Sequence, residues 1–311
     1  MRTEQEMMEL VLKVAKEDDR VRAVGMNGSR TNPNVPKDPF RDYDIAYLVT
    51  DVQSFLDDPD WIDVFGERII MQTPEDMELF PNELGGRFTY MMLFTDGNRI
   101  DLMLIPLAEK DEYCREDGLT AILLDKDDAL PAIPPPTDEE YWVKKPSAQS
   151  FADCCNECWW TATYVAKGLW RREILYALDH LNLVRAMLLK MLEWKVGIET
   201  DFSLSIGKNA KFLKRYVDEE TWKRLLATYP GGDYGEVWSA LFKTTDLFEE
   251  TAIAAAERLG YQYPFVDAKQ CQAILEACSA AETCRKRDLL IHLLHPGFLG
   301  VHFSCRGPEK R

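Results

Sequence analysis

No apolar run in this sequence approaches the ~18 residues that a membrane-spanning helix requires. Its first six residues, Met1-Arg2-Thr3-Glu4-Gln5-Glu6, lack the basic segment and apolar core of a secretory signal. Positive charge is scarce as well: Lys and Arg total 37 against 53 Asp and Glu, for a net charge of −16. A polyanion binder carries a basic footprint, so neither nucleic acid nor a membrane surface is the expected partner. A cationic small molecule, by contrast, is attracted. The eight cysteines and four histidines form no paired motif at zinc spacing. Without a secretory signal, those cysteines are expected to be free thiols in a cytoplasmic protein. There is no repeat of solenoid length and no apolar seam at heptad spacing, so a monomer is expected.

What the chain does have is apolar bulk. Hydrophobic residues make up 46% and aromatics 11%, enough for sizeable cores and too much for a disordered chain. At about 150 residues per domain, 311 residues suggest about two domains. Residues 4–17 carry apolar side chains at helical spacing. Strand patterns follow at 21–27, 43–49, 67–71, 87–94, 99–105 and 119–124, with a hairpin signal, Asp96-Gly97-Asn98, between two of them. The first half is therefore mixed α/β with at least one antiparallel pair. Pro131-Ala132-Ile133-Pro134-Pro135-Pro136 reads as an extended linker. Beyond it the pattern changes to helices, at 148–168, 172–196, 207–217, 219–228 and 235–259.

Chemistry concentrates in the first half. The strand ending at Asn27 delivers Gly28-Ser29. Glycine lets a backbone approach a ligand, and the serine hydroxyl with consecutive N–H groups can hold phosphate oxygens. Arg30 adds a charge suited to the same anion. Asp42 and Asp44 open the next strand, where side chains two apart share a face, roughly 7 Å from each other. Two carboxylates among apolar neighbours are costly unless a cation neutralises them. Asp101 is the sole acid in the apolar strand 99–105. Together Asp42, Asp44 and Asp101 make a candidate Mg²⁺ cluster beside a phosphate cradle, which is what metal-assisted nucleotidyl transfer needs. Asp58-Pro59-Asp60 and Asp125-Lys126-Asp127 share the Asp-x-Asp pattern but read as solvated loop.

These segments resemble the polymerase β-like nucleotidyltransferase superfamily. The finer resemblance, over roughly residues 1–275, is to the aminoglycoside 6-adenylyltransferases, also called streptomycin adenylyltransferases. It is carried by residues 26–32, Asp42-Tyr43-Asp44-Ile45, Ile100-Asp101-Leu102, Tyr141-Trp142-Val143-Lys144-Lys145-Pro146, residues 151–173 and Ile206-Gly207-Lys208-Asn209-Ala210-Lys211. The resemblance implies an α+β protein: an N-terminal nucleotidyltransferase domain with a mixed sheet (1–135), then an all-α domain (136–276), with the active site in the cleft between them. Residues 277–311 depart from the pattern as a divergent tail holding three of the four histidines and three of the eight cysteines. The implied reaction is transfer of AMP from ATP to the 6-hydroxyl of streptomycin, releasing pyrophosphate, with Mg²⁺. Asp42 and Asp44 match metal ligands, and Asp101 matches either a third ligand or the general base. Rival readings keep the fold but change the acceptor to another aminoglycoside, a lincosamide or a protein, or make the chain a non-catalytic, antitoxin-like nucleotide-binding module.

Further candidates lie in the helical half. Asp153 and Glu157 share a helix face and suit a cationic acceptor, and Glu157 is alternatively the base that takes the hydroxyl proton. Lys208, in Gly-Lys-x-x-Lys at the start of an expected helix, suits a triphosphate, with Lys211 as a second candidate. Trp142 is a candidate for stacking on adenine and Trp160 for lining the acceptor site, whereas aromatics at helical spacing are more often core. Cys154, Cys155 and Cys158 read as buried inert thiols and His180 as a structural histidine.

Overall fold

The computed structural model describes residues 1–80 and 85–284. The chain divides into two compact units, Met1–Glu140 and Tyr141–Arg311.

The first unit opens with helix α1 (Glu4–Glu17). Thr3 and Glu6 cap it reciprocally: the Glu6 N–H donates to Thr3 Oγ1 at 3.2 Å, and the Thr3 N–H donates to Glu6 Oε2 at 2.7 Å. Then come strands β1 (Val21–Asn27) and β2 (Tyr43–Val49), the one-turn helix α2 (Gln53–Leu56), β3 (Arg68–Gln72), β4 (Phe88–Phe94), β5 (Arg99–Pro106), helix α3 (Lys110–Glu116) and β6 (Ala121–Asp125). The sheet order is β3-β4-β5-β2-β1-β6. Only β2 and β5 run parallel; the other neighbours are antiparallel. The expected hairpin joins β4 to β5, with Gly97 at φ +83°.

Both faces of the central strands are covered, and the alternation along them decides where polar groups can go. Tyr43, Ile45, Tyr47 and Val49 pack with Met7 and Val11 of α1. The Tyr47 hydroxyl, fully buried, donates to the Val11 carbonyl at 2.6 Å. On the other face Ala46 and Leu48 pack with Ile105 of β5 and with Tyr113 and Cys114 of α3. Asp42 and Asp44 fall on that second parity, as does Asp101 two residues before Met103. Gly25 of β1 lies directly against the Tyr113 ring, where a Cβ would overlap the hydroxyl.

The second unit is helical: α4 (Ala148–Trp170), α5 (Ile174–Glu199), α6 (Glu219–Leu226), α7 (Tyr234–Leu259) and α8 (Phe265–Cys284). Ser147, Asp218 and Asp233 cap the N-termini of α4, α6 and α7. One apolar cluster joins them through residues such as Phe151, Leu188, Leu241, Phe248 and Leu275. Two expectations are corrected here. Residues 207–217 do not form a helix but two short 3-10 turns, Lys208–Ala210 and Leu213–Arg215. Gly207, Asn209 and Ala210 all sit at positive φ, and the Phe212 N–H closes back on the Ile206 carbonyl at 2.9 Å. Helix α8 was not anticipated, and it runs through the point where the divergent tail was expected to begin. The rest of that tail, residues 285–311, with its three histidines and Cys305, lies outside the described residues.

Cys114, Cys154, Cys155, Cys158, Cys271 and Cys278 are free thiols. Burial pushes Cys154 and Cys155 up to about 12 and Cys158 well above its ordinary value, so the three α4 thiols are packing groups. Among the described residues no helix is long and apolar enough to cross a membrane.

Replacing Gly25 with Ala forces a methyl into the Tyr113 ring. The expected loss is about 1–3 kcal/mol of stability, read as a lower urea midpoint at unchanged slope.

Candidate active site

The site on the first unit is assembled by strand ends. At the C-terminal end of β1, Gly28–Arg30 forms a single 3-10 turn, with Gly28 at φ +73°. A Cβ on Gly28 would overlap Asp44 Oδ2, so glycine is required there both by the backbone and by the carboxylate behind it. The strand end is held from below. The Tyr113 hydroxyl donates to Asn27 Oδ1 at 2.7 Å, and Asn27 Nδ2 donates to Thr120 Oγ1 at 2.7 Å. Thr31 Oγ1 donates to the Gly28 carbonyl at 2.9 Å, which closes the turn.

β2 and β5, parallel and in register, place Asp44 opposite Asp101, while Asn27 of β1 lies opposite Asp44 on its other side. Asp42 immediately precedes β2. The three acids that the sequence singled out are thus at one end of the sheet, on one face. A group not anticipated joins them: Arg99. Its guanidinium donates through Nε to Asp101 Oδ1 and through Nη2 to Asp101 Oδ2, both at 2.8 Å, and its Nη1 lies 3.6 Å from Asp42 Oδ2. This was legible in principle, because Arg99 and Asp101 are two apart on one strand and therefore share a face.

The electrostatics follow from burial. Asp44 is pushed from the ordinary aspartate value of 3.8 to about 6, chiefly by desolvation and then by the charges of Asp101 and Asp42. Asp42 also rises, through desolvation, against the opposing pull of Arg99. Three carboxylates with one guanidinium are short of positive charge, and hard oxygen donors so placed suit a divalent cation of the Mg²⁺ type. The donor set fits such an ion chemically. In the present arrangement, however, no group of three His, Cys, Asp or Glu side chains among the described residues converges closely enough to hold one. Asp101 has both oxygens on Arg99 instead.

Arg30 is placed differently from the phosphate contact the sequence suggested. Its guanidinium stacks on the Tyr43 ring at 3.5 Å, donates to the carbonyls of Asp42 and Arg41 at 3.0 and 2.8 Å, and lies 3.3 Å from Glu4. It braces the loop that carries Asp42. That loop is also tied down by Asn34, whose Nδ2 donates to Asp138 at 2.9 Å. Ser29 remains at the turn, half-buried, its carbonyl accepting from Arg41 at 3.2 Å.

The other candidates belong to the second unit. Asp153 and Trp160, on α4, line a cavity of about 760 Å³ shared with α8. Glu157, although on the same helix face, does not line it; its carboxylate accepts from Thr161 Oγ1 at 2.9 Å. Lys208 lines a second cavity of about 650 Å³ with Tyr141, Lys190, Glu193 and Tyr229. Trp142 is half-buried, in the bend before α4. Since Lys208 opens no helix, the dipole argument that singled it out does not hold.

The model of the family described as "Streptomycin adenylyltransferase" matches residues 1–278. The chain belongs to that family. An aminoglycoside 6-adenylyltransferase of Bacillus subtilis (strain 168) is 51% identical over 269 residues, covering 86% of this chain and 95% of the relative. One from Campylobacter jejuni is 51% identical over 270 residues, covering 86% and 93%. A crystal structure of an aminoglycoside 6-adenyltransferase from Bacillus subtilis matches 90% of this chain and 99% of its own at 44% identity, with a TM-score of 0.45. The matched region ends within α8.

Asp44 supplies a test of the electrostatic picture in this family member. Below pH 4 the acid is protonated whether folded or unfolded. Between pH 4 and 6 the unfolded chain loses the proton and the folded one keeps it, so stability falls as pH rises and the penalty is complete above about pH 6. Two pH units correspond to at most roughly 3 kcal/mol. Asp44→Asn should therefore melt at the same temperature as wild type near pH 4 and higher than wild type at pH 7, measured without divalent metal. A lower melting temperature at pH 7 would sink the desolvation account.

Proposed function

We propose that the protein is a Mg²⁺-dependent adenylyltransferase that moves AMP from ATP to the 6-hydroxyl of streptomycin, releasing pyrophosphate. The observation that carries this is the packing of the Gly28 turn against Asp44, with Asp42 and Asp101 on the same face of the sheet. On this reading the turn is the phosphate-binding backbone and the neighbouring carboxylates are the metal ligands. Family membership supports the reading, and the names of the relatives support an aminoglycoside as acceptor.

In this proposal the N–H groups of the 28–30 turn and the Ser29 hydroxyl receive phosphate oxygens of ATP. Asp42, Asp44 and Asp101 would hold Mg²⁺, which when bound supplies charge neutralisation at the phosphates. Arg99 balances the carboxylates of Asp42 and Asp101 and must loosen from Asp101 as that residue turns to the ligand. Arg30 keeps Asp42 in place rather than touching ATP. Lys208 adds positive charge for the triphosphate, and Trp142 a surface for the base. The acceptor hydroxyl attacks the α-phosphorus, the bond to the bridging oxygen of pyrophosphate breaks, and the hydroxyl proton passes to a carboxylate. The candidates for that role are the carboxylates of Asp101 and Glu157. Asp153 and Trp160 contact the cationic acceptor. The reaction is assigned to a monomer in the cytoplasm, where ATP is at hand.

The test is mass spectrometry of streptomycin incubated with the protein, ATP and Mg²⁺, beside an EDTA control. One AMP adduct that vanishes with EDTA is expected. No adduct, with ATP still bound, would overturn the acceptor and direct the search to other aminoglycosides, lincosamides or protein hydroxyls. Asp42→Asn should lower kcat by at least about 100-fold while the melting temperature stays close to wild type.

A further inference from the structure

The cavity between α4 and α8 contains more than the residues expected to meet the acceptor. Its floor is apolar and fixed. Trp159 and Tyr263, both buried, are joined by a hydrogen bond from Trp159 Nε1 to Tyr263 Oη at 2.9 Å. Its rim is polar and drawn from two helices: Asp153 and Asn156 on α4 face Asp267 and Gln270 on α8. Trp160 stands at the edge with 58% of its surface exposed. Its indole N–H is held by the Tyr164 hydroxyl at 2.6 Å, which orients the ring.

Each of these features has an ordinary explanation alone. Asp267 lies in the first turn of α8, where acids are favoured by the helix dipole. Asp153 does not share that explanation, since α4 starts five residues earlier, at Ala148. Among the described residues neither carboxylate has a basic partner; Asp153 accepts only from the Gln149 amide, at 2.8 Å. Two unneutralised carboxylates on opposite walls, amides between them and an oriented, exposed indole form a recognisable combination. The carboxylates suit guanidinium or ammonium groups, the amides suit hydroxyls, and the indole suits a cation or the apolar face of a sugar ring. A volume of about 760 Å³ is ample for a ligand of drug size. A neutral or anionic ligand would leave both carboxylates uncompensated.

We propose that the α4–α8 cavity binds a hydroxyl-rich ligand carrying at least two cationic groups, and that Asp267 and Gln270 are specificity-determining residues that act together with Asp153 and Trp160. The assignment rests on the proposed aminoglycoside reaction for the identity of the ligand, and it adds the α8 wall to the acceptor's contacts.

Streptomycin is the probe, titrated into the full-length protein by calorimetry without ATP. Wild type, Asp267→Asn and Gln270→Ala are compared, together with steady-state constants for acceptor and ATP. Both substituted residues are exposed, so the fold is expected to survive, and melting curves check it. Asp267→Asn should raise Kd and the acceptor KM by about tenfold or more, and Gln270→Ala by a few-fold, with kcat and the ATP KM unchanged. A Kd for Asp267→Asn within twofold of wild type overturns the cavity assignment, even if wild type adenylylates streptomycin normally. Binding by wild type that Asp267→Asn weakens, without any adenylylation, leaves the cavity standing and removes the proposed reaction instead. Failure of wild type to bind the probe overturns the cavity assignment whatever the activity.

Discussion

Parallel pairing between β2 and β5 is the constraint from which the candidate site follows. Two strands running the same way in the middle of a sheet bring their equivalent ends together, and here each of those ends carries aspartate. An antiparallel pairing would have sent Asp44 and Asp101 to opposite edges. The strict two-residue alternation then does the rest. Tyr43, Ile45 and Tyr47 take the face covered by α1, so Asp42 and Asp44 must take the other. That face is closed by α3 over Ala46 and Leu48 and leaves the strand ends to the acids.

Crowding acids in this way costs folding energy, and the protein meets the cost locally. Arg99 faces two of the three carboxylates, and Arg30 fixes the backbone that presents Asp42. Among the described residues Asp44 makes no such ion pair, and it is pushed up to about 6. The charge deficit is thus concentrated on the residue packed hardest against the Gly28 turn. Local stability and readiness for a positive ligand are two descriptions of the same imbalance.

Much of the first unit could be read in advance because its signals are strong and local. β1 and β2 are bounded by turn residues and rich in β-branched and aromatic side chains, and their ends coincide with the pattern. The acids stood out because Asp42 and Asp44 pair at the start of one apolar strand and Asp101 is the sole acid in another. What escaped did so for physical reasons. Helix α8 buries Ala268, Leu275, Cys278 and Ala281, and small side chains leave only a faint stripe. Residues 207–217 contain good helix formers, but Gly207 at positive φ and the closure from Phe212 to Ile206 turn the chain back before a helix can propagate. Arg30 looked available for an anion because its stacking on Tyr43 and its bonds to the carbonyls of residues 41 and 42 span a loop of irregular path. The grouping of Asp153 with Asp267 needed the tertiary fold, since 114 positions separate them in the chain.

Gly28 has a consequence for how this chain can diverge. Every other amino acid would bring at least a Cβ against Asp44 Oδ2, so drift at this position is closed in one step and reopens only if the carboxylate is lost as well. Exposed positions on α4 and α8 are under no comparable steric veto. Gene duplicates of such a chain can therefore diversify along the helical rim while the strand-end turn stays frozen.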